Sequence, residues 1–263
     1  MTNILQEIAE VTRKRIDVAK EHMSEASLVS RFEASQRKLH DMTSIFVADS
    51  WNVIAEYKRA SPSQGDIAPT LKHLTVAKQY IDSGAKALSV LTEPHYFRGD
   101  LNFLAEIREA YPKQPLLMKD FFVDSYQIAQ ALAYGADCIL IIAAMLDQDQ
   151  AVSLYRSARS FGLSVILEIH GAAELSYVEI MPDAIVGINN RNLKNMTIDL
   201  KISEDLIPLI PKERKIISES GIESFADLVR LKTAGAKGFL VGTSLMRSGE
   251  PGLALSRLLK QGL

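Results

Sequence analysis

The chain has 263 residues, 47% hydrophobic and 24% charged, with a net charge of -2. That length suits one large α/β barrel or two small domains, and the near-neutral balance points away from nucleic acid. A single cysteine, Cys138, excludes an internal disulfide and any cysteine-based metal centre, and no apolar run approaches the roughly 20 residues of a membrane helix.

The opening residues, Met1 to Glu7, lack the basic and apolar segments of a secretory signal, so a soluble cytoplasmic protein is expected. Residues 4–21 place Ile4, Leu5, Ile8, Val11, Ile16 and Val18 among charges, which predicts a helix with one buried stripe. Ser24 is the expected cap of a second helix over 25–34. This extension, residues 1–48, closes the bottom of a barrel or lies across its top; the pattern leaves both open.

From there short apolar strands alternate with amphipathic helices. Strands are predicted over 53–58, 87–91, 116–119, 138–142, 164–168, 184–189, 215–219 and 238–241. Helices are predicted over 71–83, 101–111, 125–134, 148–161, 172–180, 204–210 and 225–233. Gly84, Gly135, Gly162 and Gly235 stand at helix-to-strand junctions, where a glycine ends a helix readily. Wholly apolar strands in series with helices indicate a parallel sheet covered on both faces. Eight such units over residues 49–263 predict a single-domain (β/α)8 TIM barrel behind its helical extension. An open doubly wound sheet is the alternative, but no GxGxxG follows the first strand.

A barrel of this kind works at the C-terminal ends of its strands. Side chains alternate along a strand, so Ile54, Glu56 and Lys58 share one face. The same parity links Leu117 with Lys119, Ile166 with Glu168 and Ile217 with Glu219, while the sixth strand ends at Asn189, Asn190 and Arg191. Two amines and three carboxylates therefore converge above an apolar floor. Each alone reads equally as a structural ion pair; burying all of them together points to chemistry.

The last two units differ. Ser220-Gly221 and Gly242-Thr243 each bring a glycine and a hydroxyl from a strand end to a helix start, where backbone amides can grip a phosphate. Plain helix capping by Ser220 and Thr243 is the competing reading. His22, His40, His73, His95 and His170 have no common spacing for a metal and read as solvated or locally satisfied. Phe97, Phe121 and Phe122 fall in loops and could line an aromatic pocket.

The stretches from Ile54 to Ser63, Leu117 to Phe121, Leu167-Glu168, Gly187 to Leu193, Ser218 to Ile222 and Leu88 to Glu93 resemble indole-3-glycerol phosphate synthase. The likeness runs along essentially the whole chain. It implies a carbon–carbon lyase of tryptophan synthesis acting on 1-(2-carboxyphenylamino)-1-deoxyribulose 5-phosphate, without metal or organic cofactor. By the same resemblance Lys119 is the general acid, Glu168 the base of the dehydration, and Lys58 a second lysine near the substrate carboxylate. How proton transfers divide among these three stays open. Glu56 and Glu219 resemble the carboxylates that hold the lysines, and Asn189 and Arg191 resemble orienting contacts. Ser61, Ser220, Gly221, Gly242 and Thr243 resemble the phosphate grip, and Phe97, Phe121 and Leu193 form an apolar seat for the anthranilate ring. Asn190 departs from the Ser of some family members. The expected partner is the small-molecule substrate alone, with no nucleic acid and no membrane, in a monomer or weak homo-oligomer. Phosphoribosylanthranilate isomerase and a non-catalytic phosphate-binding barrel are the alternatives; Cys138, at the far end of its strand, speaks against the first.

Overall fold

The computed structural model describes residues 4–192 and 196–260. Among the described residues, eight strands close into a parallel barrel. They are β1 (Val53–Tyr57), β2 (Ala87–Leu91), β3 (Leu116–Lys119), β4 (Cys138–Ile142), β5 (Ser164–Ile169), β6 (Ile185–Asn189), β7 (Ile216–Glu219) and β8 (Gly238–Val241). Each strand pairs with its neighbours in the chain, and β1 seals the ring against β8 with Ile54 opposite Leu240. The predicted (β/α)8 architecture is the one found.

Alternation along the strands separates two cores. Ile54, Ala87, Leu117, Leu140, Ile166, Ile185, Ile217 and Leu240 fill the barrel interior. Their neighbours Val53, Leu88, Met118, Ile139, Leu167, Val186, Ile216 and Phe239 face the surrounding helices. The interior is thus closed by side chains, and the next inward position on several strands carries a charge.

The outer layer comprises α3 (His73–Asp82), α4 (Leu101–Ala110), α5 (Tyr126–Tyr134), α6 (Gln148–Ser160), α7 (Leu175–Ile180), α8 (Lys201–Leu206) and α9 (Phe225–Ala234). Gly135 ends α5 at φ 100°, in the left-handed region, and Ala136 N–H closes back on Ala131 O at 2.8 Å. The helix predicted over 204–210 instead ends at Leu206 and tightens into a 3-10 turn at Ile207–Leu209, because Pro208 has no N–H to donate. Features not predicted include α10 (Thr243–Arg247), α11 (Pro251–Lys260), 3-10 turns at Met42–Ile45 and Ala143–Met145, and a short antiparallel pair, Ala60–Ser61 with Gly65–Asp66, just beyond β1.

The extension reaches both ends of the barrel. α1 (Ile4–His22) lies over the C-terminal rim, where Leu5 and Ile8 join the interior core and Arg15 pairs with Asp120 at 2.7 Å. α2 (Glu25–Ala34) is capped as expected, Ser24 Oγ accepting from Ser27 N–H, and packs on α5. The chain then passes beneath: Arg37 and the His40 amide bind the buried Asp137 that precedes β4, and Met42 N–H reaches Ser164 Oγ at the start of β5. Met42 and Ile45, in a 3-10 turn, plug the lower end of the interior core. Top and bottom, open as alternatives in the sequence, are both occupied.

Candidate active site

At the C-terminal rim the inward positions become polar. Lys119 ends β3 and its ammonium donates to Glu219 Oε2 at 2.7 Å and Glu168 Oε2 at 3.2 Å. Glu168 Oε1 accepts from Asn189 Nδ2 at 3.1 Å. Two strands round, on β1, Lys58 Nζ lies 2.7 Å from Glu56 Oε1, and Ser89 Oγ of the intervening β2 donates to Glu56 Oε2 at 3.3 Å. β1 stops at Tyr57, one residue short of prediction, yet Lys58 keeps the inward parity and meets Glu56 on the same face.

Glycines make room for these carboxylates. A Cβ on Gly187 would collide with Glu219 Oε1, and one on Gly242 would sit 2.6 Å from Glu56 Oε1. Gly242, predicted for anion contact, therefore also clears space for a buried acid.

The charges set one another's protonation. Burial alone would pull the Lys119 ammonium below its ordinary value, but Glu219, Glu168 and Glu56 outweigh it and the group ends raised. Burial pushes Glu168 up, and Lys119, His170 and Asn189 reverse the sign, holding it below the usual carboxylate range. Glu56 likewise ends lowered, with Lys58 and Lys119 overcoming burial. Glu219 carries the excess negative charge: burial, opposed by Lys119 but reinforced by Glu168 and Glu56, pushes it up to about 7. Its Oε1 has no hydrogen-bond partner among the described residues.

The phosphate-type loops follow directly on β7 and β8, beside these carboxylates. Ser220 and Gly221 are consecutive left-handed residues, φ 68° and 81°. Asn190 Nδ2 fixes the Ser220 carbonyl at 3.0 Å and Ser218 Oγ at 2.9 Å, while its Oδ1 accepts from Ser203 Oγ at 2.7 Å. The capping alternative fails for Ser220, because α9 is capped by Ser224. Thr243 is the first residue of α10, and Gly242 its N-cap.

Every predicted site residue within the described residues lines one pocket: Glu56, Lys58, Ser61, Phe97, Lys119, Phe121, Glu168, Asn189, Arg191, Glu219, Ser220, Gly221, Gly242 and Thr243. Leu193 lies outside the described residues. Phe97 and Phe121 meet at 5.9 Å between centroids, whereas Phe122 turns away into the outer core. Sequence reasoning missed three groups. Ile4, Leu5 and Ile8 of α1 enter the pocket wall, which a stripe of apolar residues alone could not announce. Asp120, next to Lys119, is buried and holds Arg15, Thr92 Oγ1 and the Phe121 amide. His170, read as solvated or locally satisfied, lies against Glu168; its position two residues on, on the same strand face, was the available signal.

Comparison with known proteins places the chain in a family. The sequence profile of indole-3-glycerol phosphate synthase matches residues 5–258. The chain belongs to the indole-3-glycerol phosphate synthase family. A relative of that name from Aliarcobacter butzleri is 41% identical over 93% of this chain and 94% of its own. Another, from Laribacter hongkongensis, is 39% identical over 98% of this chain and 99% of its own. Among solved structures, 3-hexulose-6-phosphate synthase from Salmonella typhimurium superposes with a TM-score of 0.63 at 14% identity, covering 81% of this chain and all (100%) of that one. The tryptophan synthase alpha subunit from Legionella pneumophila gives 0.58 at 15% identity, over 90% and 97% of the two chains. These last two likenesses show the barrel fold. Among the described residues no helix is long and apolar enough to cross a membrane, and no group of His, Cys, Asp and Glu could hold a metal ion.

Proposed function

We infer that this chain closes the indole ring of 1-(2-carboxyphenylamino)-1-deoxyribulose 5-phosphate, with loss of carbon dioxide and water, as its family does. The observation that carries the reading is Lys119 held between Glu219 and Glu168 at 2.7 and 3.2 Å, facing the same pocket as the Lys58–Glu56 pair.

Lys119 keeps its proton in the resting site because carboxylates surround it. As the ring carbon bearing the carboxylate attacks the ribulose carbonyl, the oxygen becomes an alkoxide far more basic than an amine, and Lys119 protonates it. The new carbon–carbon bond leaves the ring carbon with a carboxylate whose departure as carbon dioxide returns the electron pair to the ring. Lys58 holds that carboxylate until it leaves. The former carbonyl oxygen then departs as water: a lysine ammonium, Lys58 or Lys119, gives the second proton and Glu168 takes one from the substrate. An acid and a base placed in this way contribute about 10²–10⁴-fold each.

The remaining residues position. Glu56 and Glu219 fix the two ammonium groups, and Asn189 holds Glu168. Arg191 orients the substrate, and Ser61, Ser220, Gly221, Gly242 and Thr243 grip the phosphate with hydroxyls and backbone amides. Phe97 and Phe121, with Leu5 and Ile8 above, seat the anthranilate ring. Leu193 belongs to the same seat in the family pattern.

The test is direct. Protein mixed with the carboxyphenylamino substrate is expected to generate indole fluorescence, and Lys119→Met to abolish it while circular dichroism and affinity for a phosphate-bearing product analogue persist. Near-normal turnover by Lys119→Met refutes the assignment.

A further inference from the structure

Of the five histidines in the chain, His170 is the one set against the acid–base cluster. β5 ends at Ile169, which points to the outer core. Glu168 points inward and His170, two residues on, rises over it at the rim with its side chain 9% exposed. Nε2 stands 3.2 Å from Glu168 Oε1, and Nδ1 3.9 Å from Glu174 Oε2 in the turn after β5. Nε2 is within hydrogen-bond distance of Glu168 Oε1 but off the ideal angle, so the contact is set by proximity rather than by an aligned bond. His170 is absent from the pocket wall, so it touches Glu168 without facing substrate.

We propose that His170 is a positioning residue for Glu168: its imidazolium braces Oε1 from behind while Lys119 holds Oε2, fixing an ionised carboxylate toward the substrate. The inference rests on Glu168 being the base assigned above. Together with the Asn189 amide on the same oxygen, it explains how a fully buried acid stays ionised with a single lysine on the other. The charged groups facing His170 are Glu168 on β5, Glu174 beyond it and Glu219 across the rim on β7; Lys119, on the other oxygen of Glu168, is the opposing cation. Burial pulls the imidazolium down, and those three carboxylates outweigh it, so His170 is charged to a higher pH than a free histidine. The brace is therefore present at low and neutral pH and lost as pH rises through the raised His170 value.

The experiment measures kcat and KM from about pH 5 to about pH 9 for the wild type, His170→Ala, His170→Gln and Glu168→Gln. In His170→Ala kcat near pH 7 is expected to fall about tenfold, for a lost contact worth about 1.4 kcal/mol, and the basic-side decline of kcat that follows His170's own titration to vanish. KM should change little, because no substrate contact is lost. His170→Gln restores a donor without charge and should fall between the two. An unchanged kcat and an unchanged basic limb in His170→Ala, with Glu168→Gln inactive, overturn the proposal and leave the reading of Glu168 standing. Wild-type turnover by Glu168→Gln removes that reading as well. Should His170→Ala fail to fold, 15N-histidine NMR decides: Glu168→Gln must lower the His170 titration midpoint, and an unchanged midpoint overturns the brace.

Discussion

Glu219 is stored in this fold at a cost, and Glu219→Gln should release it. The carboxyl is fully buried, one oxygen on Lys119 and the other unpartnered, and its folded value is about 7 against an ordinary 4.5. At 1.36 kcal/mol per pH unit, that gap is worth about 3 kcal/mol against the ionised native state. The sign follows from proton counts. Between 4.5 and about 7 the native chain keeps a proton that the unfolded chain has lost, so stability falls as pH rises through this window and is level above it. The amide carries no such charge to bury. Glu219→Gln should therefore exceed the wild type in Tm at pH 8 by about 5 °C or more, at roughly 2–4 °C per kcal/mol for a chain near this size. The advantage should shrink toward pH 5, where Glu219 has taken up its proton in the folded chain and the charge is no longer buried. Turnover should fall sharply, because Lys119 loses its closer carboxylate. Paired thermal melts at the two pH values provide the assay. A wild type equal to or more stable than the variant at pH 8, or a difference independent of pH, refutes the reasoning.

Asn190→Ala should unfix the left-handed Ser220 and take one partner from each of Ser203 and Ser218, whose hydroxyls keep each other at 2.7 Å, costing about 1–3 kcal/mol; KM for substrate and the inhibition constant of inorganic phosphate should both rise about tenfold, for a lost contact worth about 1.4 kcal/mol, with a smaller change in kcat. Arg15→Ala removes the cation that α1 places on the buried Asp120, and limited proteolysis within α1 should quicken measurably while the barrel core resists. An unchanged cleavage rate would mean that Lys20–Asp124 and Tyr96–Glu7 suffice to hold the helix.

The strands were legible because a barrel strand is buried on both faces and leaves an unbroken apolar run, and the site was legible because parity along such a run fixes which charges point inward. Lys119 and Glu168 needed nothing more. What stayed hidden depended on contacts between distant segments. The extension's position hangs on Arg15 with Asp120 and Arg37 with Asp137, each pair about one hundred residues apart, and no local pattern encodes a partner at that range. His170 was hidden for a different reason: a histidine at a strand end is compatible with solvent until the neighbouring acid is placed. The short pair after β1 was hidden because two-residue strands carry no periodicity at all.

A chain threaded over one mouth of a ring and under the other constrains the order of events at the ribosome. The extension is made first, but its anchorages at Asp120, Asp137 and Ser164 emerge more than one hundred amino acids after Arg15, Arg37 and Met42 respectively, or at about that distance. Until roughly half the staves exist, its apolar stripe has nothing to dock on. A segment made ahead of the barrel then waits for its later half before it settles, and a chaperone would meet it undocked.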